Sequence, residues 1–456
     1  MKKDVLALPV INPHAAGIDV GARGHFVAID QITDHVKQFG VYTKDHMLLI
    51  EHLRAYGITT IAMESTGSYW QTLFNALQTA GFEVILVSGG QTKNVKGRKT
   101  DILDCMWIQK LHSLGLLSGS FLLSNYLQQL RTYYSHRQYL IEQTSKYTNK
   151  MQKALRLMNL RLDVVLNDIT GHSGLAIIDA ILAGERDPYQ LAGLVSYRVK
   201  KSKEEIAAAL HGQWRTDILF ELRSCLSLYK TYETAILECD RQIESVLIAH
   251  TPVNHEAAQK PELQLKAMPK QLKKRSPTFN VQYIAFSYFR TDLYEIPGVS
   301  HTTVLCMLTN MGTDLSKFAS AKQFASWLRL VPDNKISGGR IISRKTPSGK
   351  NTLAQALRQA ANTIGNQKNH PLTPFFKRIA YRKGRIAAIT ATARKLAIII
   401  WNMVTKQQSY KHFDYDHINQ KNKHRQLKNI QQRLTKLNLN TEELKMLLQK
   451  ASLSIT

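Results

Sequence analysis

Cysteine is scarce in this chain, and long apolar runs are missing from it. The four cysteines, Cys105, Cys225, Cys239 and Cys306, lie far apart and form no Cys-x-x-Cys pair. This spacing excludes the usual zinc-site pattern and a disulfide framework. No run of 18 apolar residues is present, so the sequence predicts no helix that crosses a membrane. The residues after Met1 lack the apolar stretch of a secretory signal, which predicts a protein of the reducing cytoplasm.

Acidic residues are also few. The 456 residues include 34 Asp and Glu against 61 Lys and Arg, which gives a formal net charge of +27. An excess of this size predicts a polyanionic partner, most often nucleic acid, with a membrane surface as the competing polyanion. The length predicts two or three domains, since one hydrophobic core rarely extends over so long a chain.

Near the start of the chain, acidic residues stand within or at the end of short apolar segments. Residues 16–21 and 25–30 are predicted to form a β-hairpin, and Asp19 lies in its first strand. Residues 58–64 are predicted to form a buried strand that ends in Glu64. A carboxylate in such a position is costly unless it is paired or binds a metal ion.

The segment from Arg98 to Asp104 begins a predicted helix. Thr100 suits the N-cap position, and Asp101 and Asp104 share one helix face because they lie three residues apart. Two carboxylates on one face repel each other unless a cation lies between them, and carboxylate oxygens are ligands that Mg²⁺ prefers. The simpler interpretation is a pair of solvated acids that the helix dipole favours in the first turn.

The order of these elements predicts an α/β domain. A hairpin, a helix, a strand, a helix, a further strand at residues 82–87 and the Asp101 helix follow one another. In an open α/β sheet, sites form where the strand ends meet. Asp19, Glu64, Asp101 and Asp104 are therefore predicted to meet around one or two Mg²⁺ ions.

Two long segments with helical periodicity follow, at residues 121–165 and about 218–248. The first contains neither Pro nor Gly, which favours one long helix. Two such helices predict an antiparallel or intermolecular coiled coil, and an ordinary helical domain fits the pattern equally well. Residues 251–280 are rich in Lys and Pro and predict a basic linker.

Beyond the linker, residues 294–300 precede an apolar helix at 302–310. A helix, a tight turn at Gly298 and a second helix resemble a helix-hairpin-helix element, which offers backbone N–H groups to a phosphate. Ser300 stands where that element usually has its second glycine. The pattern predicts a mainly α-helical C-terminal domain that contains such an element.

The most basic part of the chain runs from Lys335 to Phe413, with 16 Lys and Arg and no Asp or Glu. Within it, Ser337 precedes two glycines, and Ser343 and Ser348 are rival serines. A serine among cations can attack a phosphodiester if a base or metal ion activates it and Arg or Lys holds the phosphate. The alternative, which the residues by themselves favour, is a polar loop that only contacts backbone phosphate.

Three motifs carry a resemblance to a known family. They are Gly17-Ile18-Asp19-Val20-Gly21, Met63-Glu64-Ser65-Thr66-Gly67 and Lys99-Thr100-Asp101-Ile102-Leu103-Asp104. In these motifs and in their spacing, the chain resembles the DEDD transposases of bacterial insertion sequences. The resemblance implies a RuvC-like N-terminal domain of the RNase H type, in which Asp19, Glu64, Asp101 and Asp104 bind Mg²⁺, or alternatively Mn²⁺. It also implies metal-assisted cleavage of phosphodiesters.

The resemblance extends over roughly residues 285–400. In the resembled family, the serine of a Ser-Gly-Gly loop is taken as the nucleophile that forms a phosphoserine link to DNA, and the matching residue is Ser337. One departure is Gly349-Lys350-Asn351, where the family usually has Gly-Asn directly. The candidate nucleic-acid contacts are the basic residues and glycines near these motifs: Arg98, Lys99, Gly298, Gly338, Gly339, Arg340, Arg344, Lys345 and Lys350.

The resemblance further implies the partners of the protein. They are DNA at the element ends and at the target, a guide RNA encoded by the element, and further copies of the chain in a dimer or tetramer. It implies a bacterial cytoplasmic protein at the nucleoid, with no membrane partner. Two other functions fit the residues. One is a RuvC-like nuclease or Holliday-junction resolvase in which water is the nucleophile, and the other is a nucleic-acid-binding protein without catalysis.

These patterns divide the chain into five expected parts. They are a RuvC-like DEDD domain at residues 1–118, a helical coiled-coil spacer at 119–255, a basic linker at 256–284, a C-terminal transposase domain with the serine loop at 285–405, and a basic helical tail at 406–456.

Overall fold

The computed structural model describes residues 9–65, 67–92, 100–120, 124–251, 274–312, 315–347, 349, 351–368 and 370–410, with isolated positions of the tail. The chain divides into two compact units, unit 1 at Met1–Leu122 and unit 2 at Leu123–Thr456. Unit 1 contains a mixed β-sheet, whereas unit 2 is mostly helical.

Unit 1 is built around a five-stranded sheet. Its strands are β1 (Ala15–Val20), β2 (His25–Ala28), β3 (Lys37–Phe39), β4 (Thr60–Glu64) and β5 (Glu83–Val87). The strand order is β3-β2-β1-β4-β5. The pairs β1–β2 and β2–β3 are antiparallel, whereas β1–β4 and β4–β5 are parallel. The parallel strands are connected through helices, because a tight turn cannot join them.

Helices cover both faces of this sheet. They are α1 (Thr43–Ala55), α2 (Trp70–Thr79), α3 (Gly89–Thr92) and α4 (Asp101–Ser113). Side chains alternate between the two faces of a strand. On one face, Ile18 of β1 and Met63 of β4 pack in one core with Leu49 of α1 and Phe74 of α2. The opposite face of β1 carries α4.

The elements predicted for unit 1 are present, with shifted ends. The hairpin is β1–β2, and the two later strands are β4 and β5. The predicted helix after Glu64 begins only at Trp70. β3 is a three-residue strand that the sequence did not indicate, because so short a segment has no measurable period.

Up to Tyr410, the described residues of unit 2 form twelve α-helices, one 3₁₀-helix (Leu293–Glu295) and one β-hairpin. The helices are α5 (Asn125–Leu157), α6 (Leu162–Val165), α7 (His172–Ala183), α8 (Pro188–Gly193), α9 (Lys203–Ala209), α10 (Thr216–Ala249), α11 (Val281–Phe289), α12 (His301–Asn310), α13 (Ala321–Trp327), α14 (Thr352–Asn366), α15 (Thr373–Lys383) and α16 (Arg385–Lys406). The hairpin consists of β6 (Lys335–Ser337) and β7 (Arg340–Ser343).

The two long helices, α5 and α10, pack against each other in antiparallel orientation. Tyr126 at the start of α5 stacks on His250 beyond the end of α10, with ring centroids 4.5 Å apart. Further along, Tyr147 of α5 stacks on Tyr232 of α10 at 5.6 Å. The sequence left open whether these helices pair within one chain or between chains, and here they pair within the chain. α5 ends at Leu157, earlier than predicted.

The short helices α6–α9 connect the C-terminal end of α5 to the N-terminal end of α10. Ile177 of α7, Leu191 of α8 and Ile206 of α9 are buried in one core with Met151 of α5 and Leu222 of α10. This cluster forms the folded connection between the two long helices.

In the C-terminal part, α16 packs against α13, α14 and α15. It has the length and mean hydropathy of 1.3 that a membrane-spanning helix would have. However, Leu396 and Ile400 are buried inside the protein, and Arg394 and Lys395 stand in the middle of the helix. This is the pattern of a core helix.

Candidate active site

Two of the predicted acids lie near the carboxyl ends of neighbouring strands: Asp19 is the last residue but one of β1, and Glu64 is the last residue of β4. The parallel register of β1 and β4 pairs Gly17 with Ala62 and Ile18 with Met63, and Asp19 and Glu64 are the next residue of each strand. Because successive side chains of a strand point to opposite faces, Asp19 and Glu64 lie on the face opposite to Ile18 and Met63. Asp19 and Glu64 are each partly buried. They therefore lie on one face, at the carboxyl ends of adjacent strands.

α4 brings the other two acids to the same edge. It crosses β1 in the reverse direction: Asn12 Nδ2 donates to the His112 carbonyl at 2.8 Å, and Gln109 Nε2 donates to the Ala15 carbonyl at 3.1 Å. The first turn of α4, with Asp101 and Asp104, consequently lies toward the end of β1 that carries Asp19.

Gly17 explains how closely α4 approaches the strand. A Cβ atom at this position would overlap the backbone nitrogen of Gln109 and the carbonyl oxygen of Cys105. Only glycine leaves room for the helix backbone here. The glycine two residues before Asp19 is thus required for the packing that carries Asp104.

The pKa of the Cys105 thiol is affected by two of the predicted acids. Burial raises the pKa of Cys105 to about 12, and the carboxylates of Asp19 and then Asp104 contribute in the same direction. Both carboxylates therefore act on the same sulfur atom, although they come from β1 and α4. Negative charge is concentrated at this edge.

Glu64 has hydrogen-bonding neighbours that the sequence did not predict. Its Oε2 accepts a hydrogen bond from Thr92 Oγ1 at 2.7 Å. The carbonyl of Thr92 accepts a hydrogen bond from Trp107 Nε1 of α4 at 3.0 Å. Thr92 thus connects the acid at the end of β4 to α4. No motif in the sequence marks Thr92 for this position.

The four acids share an edge, but the described residues include no group of three His, Cys, Asp or Glu side chains close enough to hold a metal ion. Asp101 is exposed, whereas Asp104 is partly buried. Thr100 is the N-cap of α4, as predicted, and its hydroxyl accepts from Leu103 N at 3.3 Å. Carboxylate oxygens alone make up the donor set, which is the chemistry that Mg²⁺ requires. Metal binding at this edge stays a prediction.

In unit 2, Ser337 lies in a β-hairpin, where the sequence suggested a polar loop. Ser337 is paired with Arg340 across the hairpin. Gly338 and Gly339 form the two-residue turn, with φ of 54° and 73°, which are the left-handed values of a type I′ turn. A Gly-Gly pair between two β-branched segments is a sequence signal for such a hairpin.

Both strands of the hairpin are largely exposed. Directly opposed residues of a hairpin share a face, so the Ser337 hydroxyl and the Arg340 guanidinium lie on the same side. The backbone N–H of Asp333 donates to the Lys345 carbonyl at 2.9 Å and closes the base of the hairpin. The hairpin thus presents Ser337 and a cation together to solvent.

The other predicted contacts lie in different settings. Arg344 and Lys345 are exposed at the end of the hairpin. Gly298 has φ of 85° and packs against Ile364, so its lack of a side chain serves the turn and this packing. Ser300 is the N-cap of α12. Four predicted residues lie outside the described part of the chain: Arg98, Lys99, Ser348 and Lys350.

Comparison with known proteins gives two family matches in the order of the two units. The profile of the DEDD transposases of the IS110 type matches residues 16–160, which include Asp19, Glu64, Asp101 and Asp104. The profile described as the transposase IS116/IS110/IS902 family matches residues 291–376, which include Ser337.

Two curated relatives are similar over about a quarter of the chain. The transposase for insertion sequence element IS1111A of Coxiella burnetii is 29% identical over 122 residues, which are 26% of this chain and 33% of that protein. A protein of Sinorhizobium fredii, y4pF/y4sB, provisionally named a transposase, is 27% identical over 124 residues, 26% of this chain and 32% of that protein. Each match spans about a third of the relative. Together with the two profiles, these similarities show that the chain belongs to the IS116/IS110/IS902 family of transposases.

Proposed function

We propose that this protein is a DNA transposase of a bacterial insertion sequence, which cuts DNA strands and rejoins them. The main support is the arrangement in unit 1, where Asp19 and Glu64 lie at the carboxyl ends of two parallel strands and Asp104 lies in the first turn of the helix that crosses β1. An RNase H-like assignment for this domain accords with the mixed sheet and with the family match. The net charge of +27 suits a polyanionic substrate.

We infer that Asp19, Glu64, Asp101 and Asp104 hold Mg²⁺, with Mn²⁺ as the alternative. A divalent ion bound there would supply neutralisation of the charge that develops on the phosphate. The chain itself holds the carboxylates in position, since α4 rests directly on β1 at Gly17. Rigid support of this kind is what a precise catalytic site needs.

For the nucleophile we infer Ser337. Its oxygen would bond to phosphorus while a bridging P–O bond of the DNA backbone breaks. The serine proton would pass, by way of a base, to the oxygen of the leaving strand, which departs with a free hydroxyl end. Attack by a hydroxyl-ended strand would then release Ser337 and rejoin the DNA. Arg340 supports this assignment, because a guanidinium on the same face of the hairpin can hold the phosphate by charge-assisted hydrogen bonds.

The remaining partners are also part of the proposal. A guide RNA encoded by the element, a homodimer or homotetramer, and a position at the nucleoid in the bacterial cytoplasm rest on the family membership and on the positive charge. The helix-hairpin-helix role of the turn at Gly298 rests on the sequence pattern alone. The five-part domain division belongs to the proposal as well.

A covalent-trapping assay tests the proposal. The full-length protein, with RNA transcribed from the region flanking its element, is mixed with labelled DNA that spans the element ends, in the presence of Mg²⁺. Denatured products are separated on a gel. We expect a protein–DNA adduct that Ser337→Ala and Asp104→Asn each abolish.

Two matched variants serve as controls. Ser343→Ala removes the rival serine from the same hairpin, and Asp34→Asn removes an exposed acid from unit 1. Both should keep the adduct. If DNA is cleaved without an adduct and Ser337→Ala changes nothing, the serine mechanism is wrong and a water-using nuclease remains. If the wild type binds DNA without cutting it, the catalytic proposal is wrong altogether.

A further inference from the structure

The corner between α15 and α16 projects a continuous exposed segment. All six residues from Tyr381 to Ile386 are exposed, including the junction at Gly384, whose φ is 82°. The segment lies directly beyond residues 291–376, the part matched by the second family profile. Nothing in the proposed catalytic role uses it.

Two large side chains at this corner are almost fully exposed. Tyr381 is 94% exposed and Ile386 is 83% exposed. Single exposed apolar residues are common on protein surfaces. Two of them on either side of one turn, at such exposure, form a feature that a binding partner would cover.

Cations surround this pair. Lys377 and Arg378 lie one helical turn before Tyr381 and share its side of α15, and Arg382 and Lys383 follow it. All four are exposed. The sequence has no Asp or Glu between Lys335 and Phe413. The charge of this surface is therefore complementary to a polyanion and not to a basic or neutral partner.

The cations are also crowded. The Arg378 guanidinium lies 5.7 Å from the centroid of the Phe375 ring, and Lys395 Nζ lies 4.7 Å from the same ring. Burial and then Arg378 lower the pKa of Lys395. Two positive groups that converge on one ring would be stabilised by a bound anion such as a phosphate.

The base of the corner is braced. Arg385 Nη2 donates to Asn362 Oδ1 at 2.6 Å and to Asn366 Oδ1 at 2.7 Å, and its guanidinium lies 5.6 Å from the Phe376 ring centroid. Arg385 thus attaches the start of α16 to α14. Tyr381 and Ile386 therefore project from a fixed part of the backbone, so that binding a partner there would lose less conformational entropy.

We propose that the α15–α16 corner is a binding site for unpaired nucleotides of a nucleic acid. Tyr381 stacks on an exposed base, Ile386 packs beside it, and Lys377, Arg378 and Arg382 contact the flanking phosphates. Stacking on an aromatic ring needs a base whose face is accessible, so single-stranded segments are preferred over regular duplex. The site concerns binding alone and does not depend on the proposed catalytic residues.

The test is an affinity measurement on the full-length protein without divalent ions, so that no cleavage occurs. Fluorescence anisotropy reports binding of three labelled 20-nucleotide probes: single-stranded RNA, single-stranded DNA and duplex DNA. Tyr381→Ala should weaken single-strand binding about 10-fold, roughly the loss of one base stack, with a smaller effect on duplex. Tyr381→Phe should retain the affinity because it keeps the ring.

Tyr283→Ala is the matched control, since Tyr283 is 61% exposed on α11, a helix without Lys or Arg. It should leave all affinities unchanged. The RNA and DNA probes decide which strand the corner prefers. A second readout is photocrosslinking of a probe that carries 5-iodouracil, which should label the peptide containing Tyr381.

The proposal is wrong if Tyr381→Ala and Tyr283→Ala behave alike on every probe and no crosslink maps to the corner. It is also wrong if Tyr381→Ala spares nucleic-acid binding but abolishes binding to vesicles of anionic phospholipid, which would make the corner a membrane contact. Because Tyr381 is almost fully exposed, its replacement should not unfold the protein.

Discussion

Arg137 of α5 and Asp240 of α10 form an ion pair in the interior of unit 2. Arg137 Nε lies 2.5 Å from Asp240 Oδ1, and each side chain is 1% exposed. Arg137 Nη2 also donates to the Arg275 carbonyl at 3.0 Å, and Asp240 Oδ2 accepts from Thr278 N at 3.2 Å. The pair therefore joins the two long helices to Arg275 and Thr278, which lie within the segment that the sequence predicted to be a basic linker.

Removing one member of this pair should strongly destabilise unit 2. Asp240→Ala leaves a buried guanidinium without its counter-charge, which costs about 3–5 kcal/mol of unfolding free energy. The double variant Arg137→Met, Asp240→Leu should recover most of the loss, because it buries no charge. Urea unfolding of the three proteins measures this. Equal stability of wild type and Asp240→Ala would contradict the assignment of a buried, dry pair.

A second prediction concerns the contact between β1 and α4. Gly17→Ala places a methyl group against the backbone of Gln109 and Cys105, where no side chain can move aside. We expect a loss of roughly 1–3 kcal/mol in stability, together with a loss of DNA cleavage, because the shifted helix carries Asp104. Thermal unfolding and the cleavage assay measure the two effects.

Gly119→Ala is the control for this variant. An added Cβ there meets only Ile85, at an ordinary 3.5 Å, so stability and cleavage should stay near wild type. If Gly17→Ala also kept stability and cleavage near wild type, the inference that α4 packs directly on β1 at Gly17 would be wrong.

The features that the sequence predicted well are local ones. The N-cap at Thr100 depends on residues within one helical turn, and the acids at the ends of β1 and β4 follow from strand periodicity. The general rule for α/β sheets places these acids toward one edge of the sheet, and their meeting around a metal ion stays a prediction. Whether these acids close around a metal depends on side-chain positions that no periodicity specifies.

The features that the sequence missed depend on distant partners. Arg137 lies in the first long segment with helical periodicity, and nothing in the sequence indicated that Asp240, 103 residues later, would neutralise it. Thr92 beside Glu64 is a similar case. The hairpin at Ser337 was missed for another reason: the two glycines suggested a loop, whereas they form a tight turn between short strands.

A third prediction is a pH dependence of unit 1. His25 of β2 is buried, and burial, followed by the neighbouring His46, lowers the pKa of His25 to about 4. The ring centroids of the two histidines lie 5.5 Å apart, and burial likewise lowers the pKa of His46, against the opposing effect of Asp45. The folded state therefore resists protonation that the unfolded state accepts.

The free energy of unfolding of unit 1 should therefore fall as the pH drops from about 6.5 toward 4, because protonation of His25 favours the unfolded state in this range. Between pH 7.5 and 5, His25 alone should account for about 2 kcal/mol of lost stability. His25→Phe removes the titrating group, so its stability should change less over this range than that of the wild type. Urea unfolding at both pH values measures the difference. An identical change in both proteins would contradict the role of His25.

The fourth prediction concerns the turn that presents Ser337. Both Gly338 and Gly339 have positive φ, which costs a β-branched residue more than it costs Asn. Gly338→Asn fits a type I′ turn, so it should keep the hairpin and most of the DNA-joining activity. Gly338→Val strains the backbone by about 1–2 kcal/mol and should separate Ser337 from Arg340. Adduct formation should then fall by about 5- to 30-fold, since 1.4 kcal/mol corresponds to a factor of ten.

The trapping assay compares the two substitutions at this one position. Because Gly338 is exposed and no atom lies near an added Cβ, a difference between Asn and Val reflects backbone conformation and not packing. Thermal unfolding should be similar for both variants, since the hairpin is exposed and contributes little to the core. Equal adduct yields from both variants would mean that the hairpin geometry is not required to position Ser337. In that case the exposed turn would be a surface feature, and the nucleophile would have to be sought elsewhere in the chain.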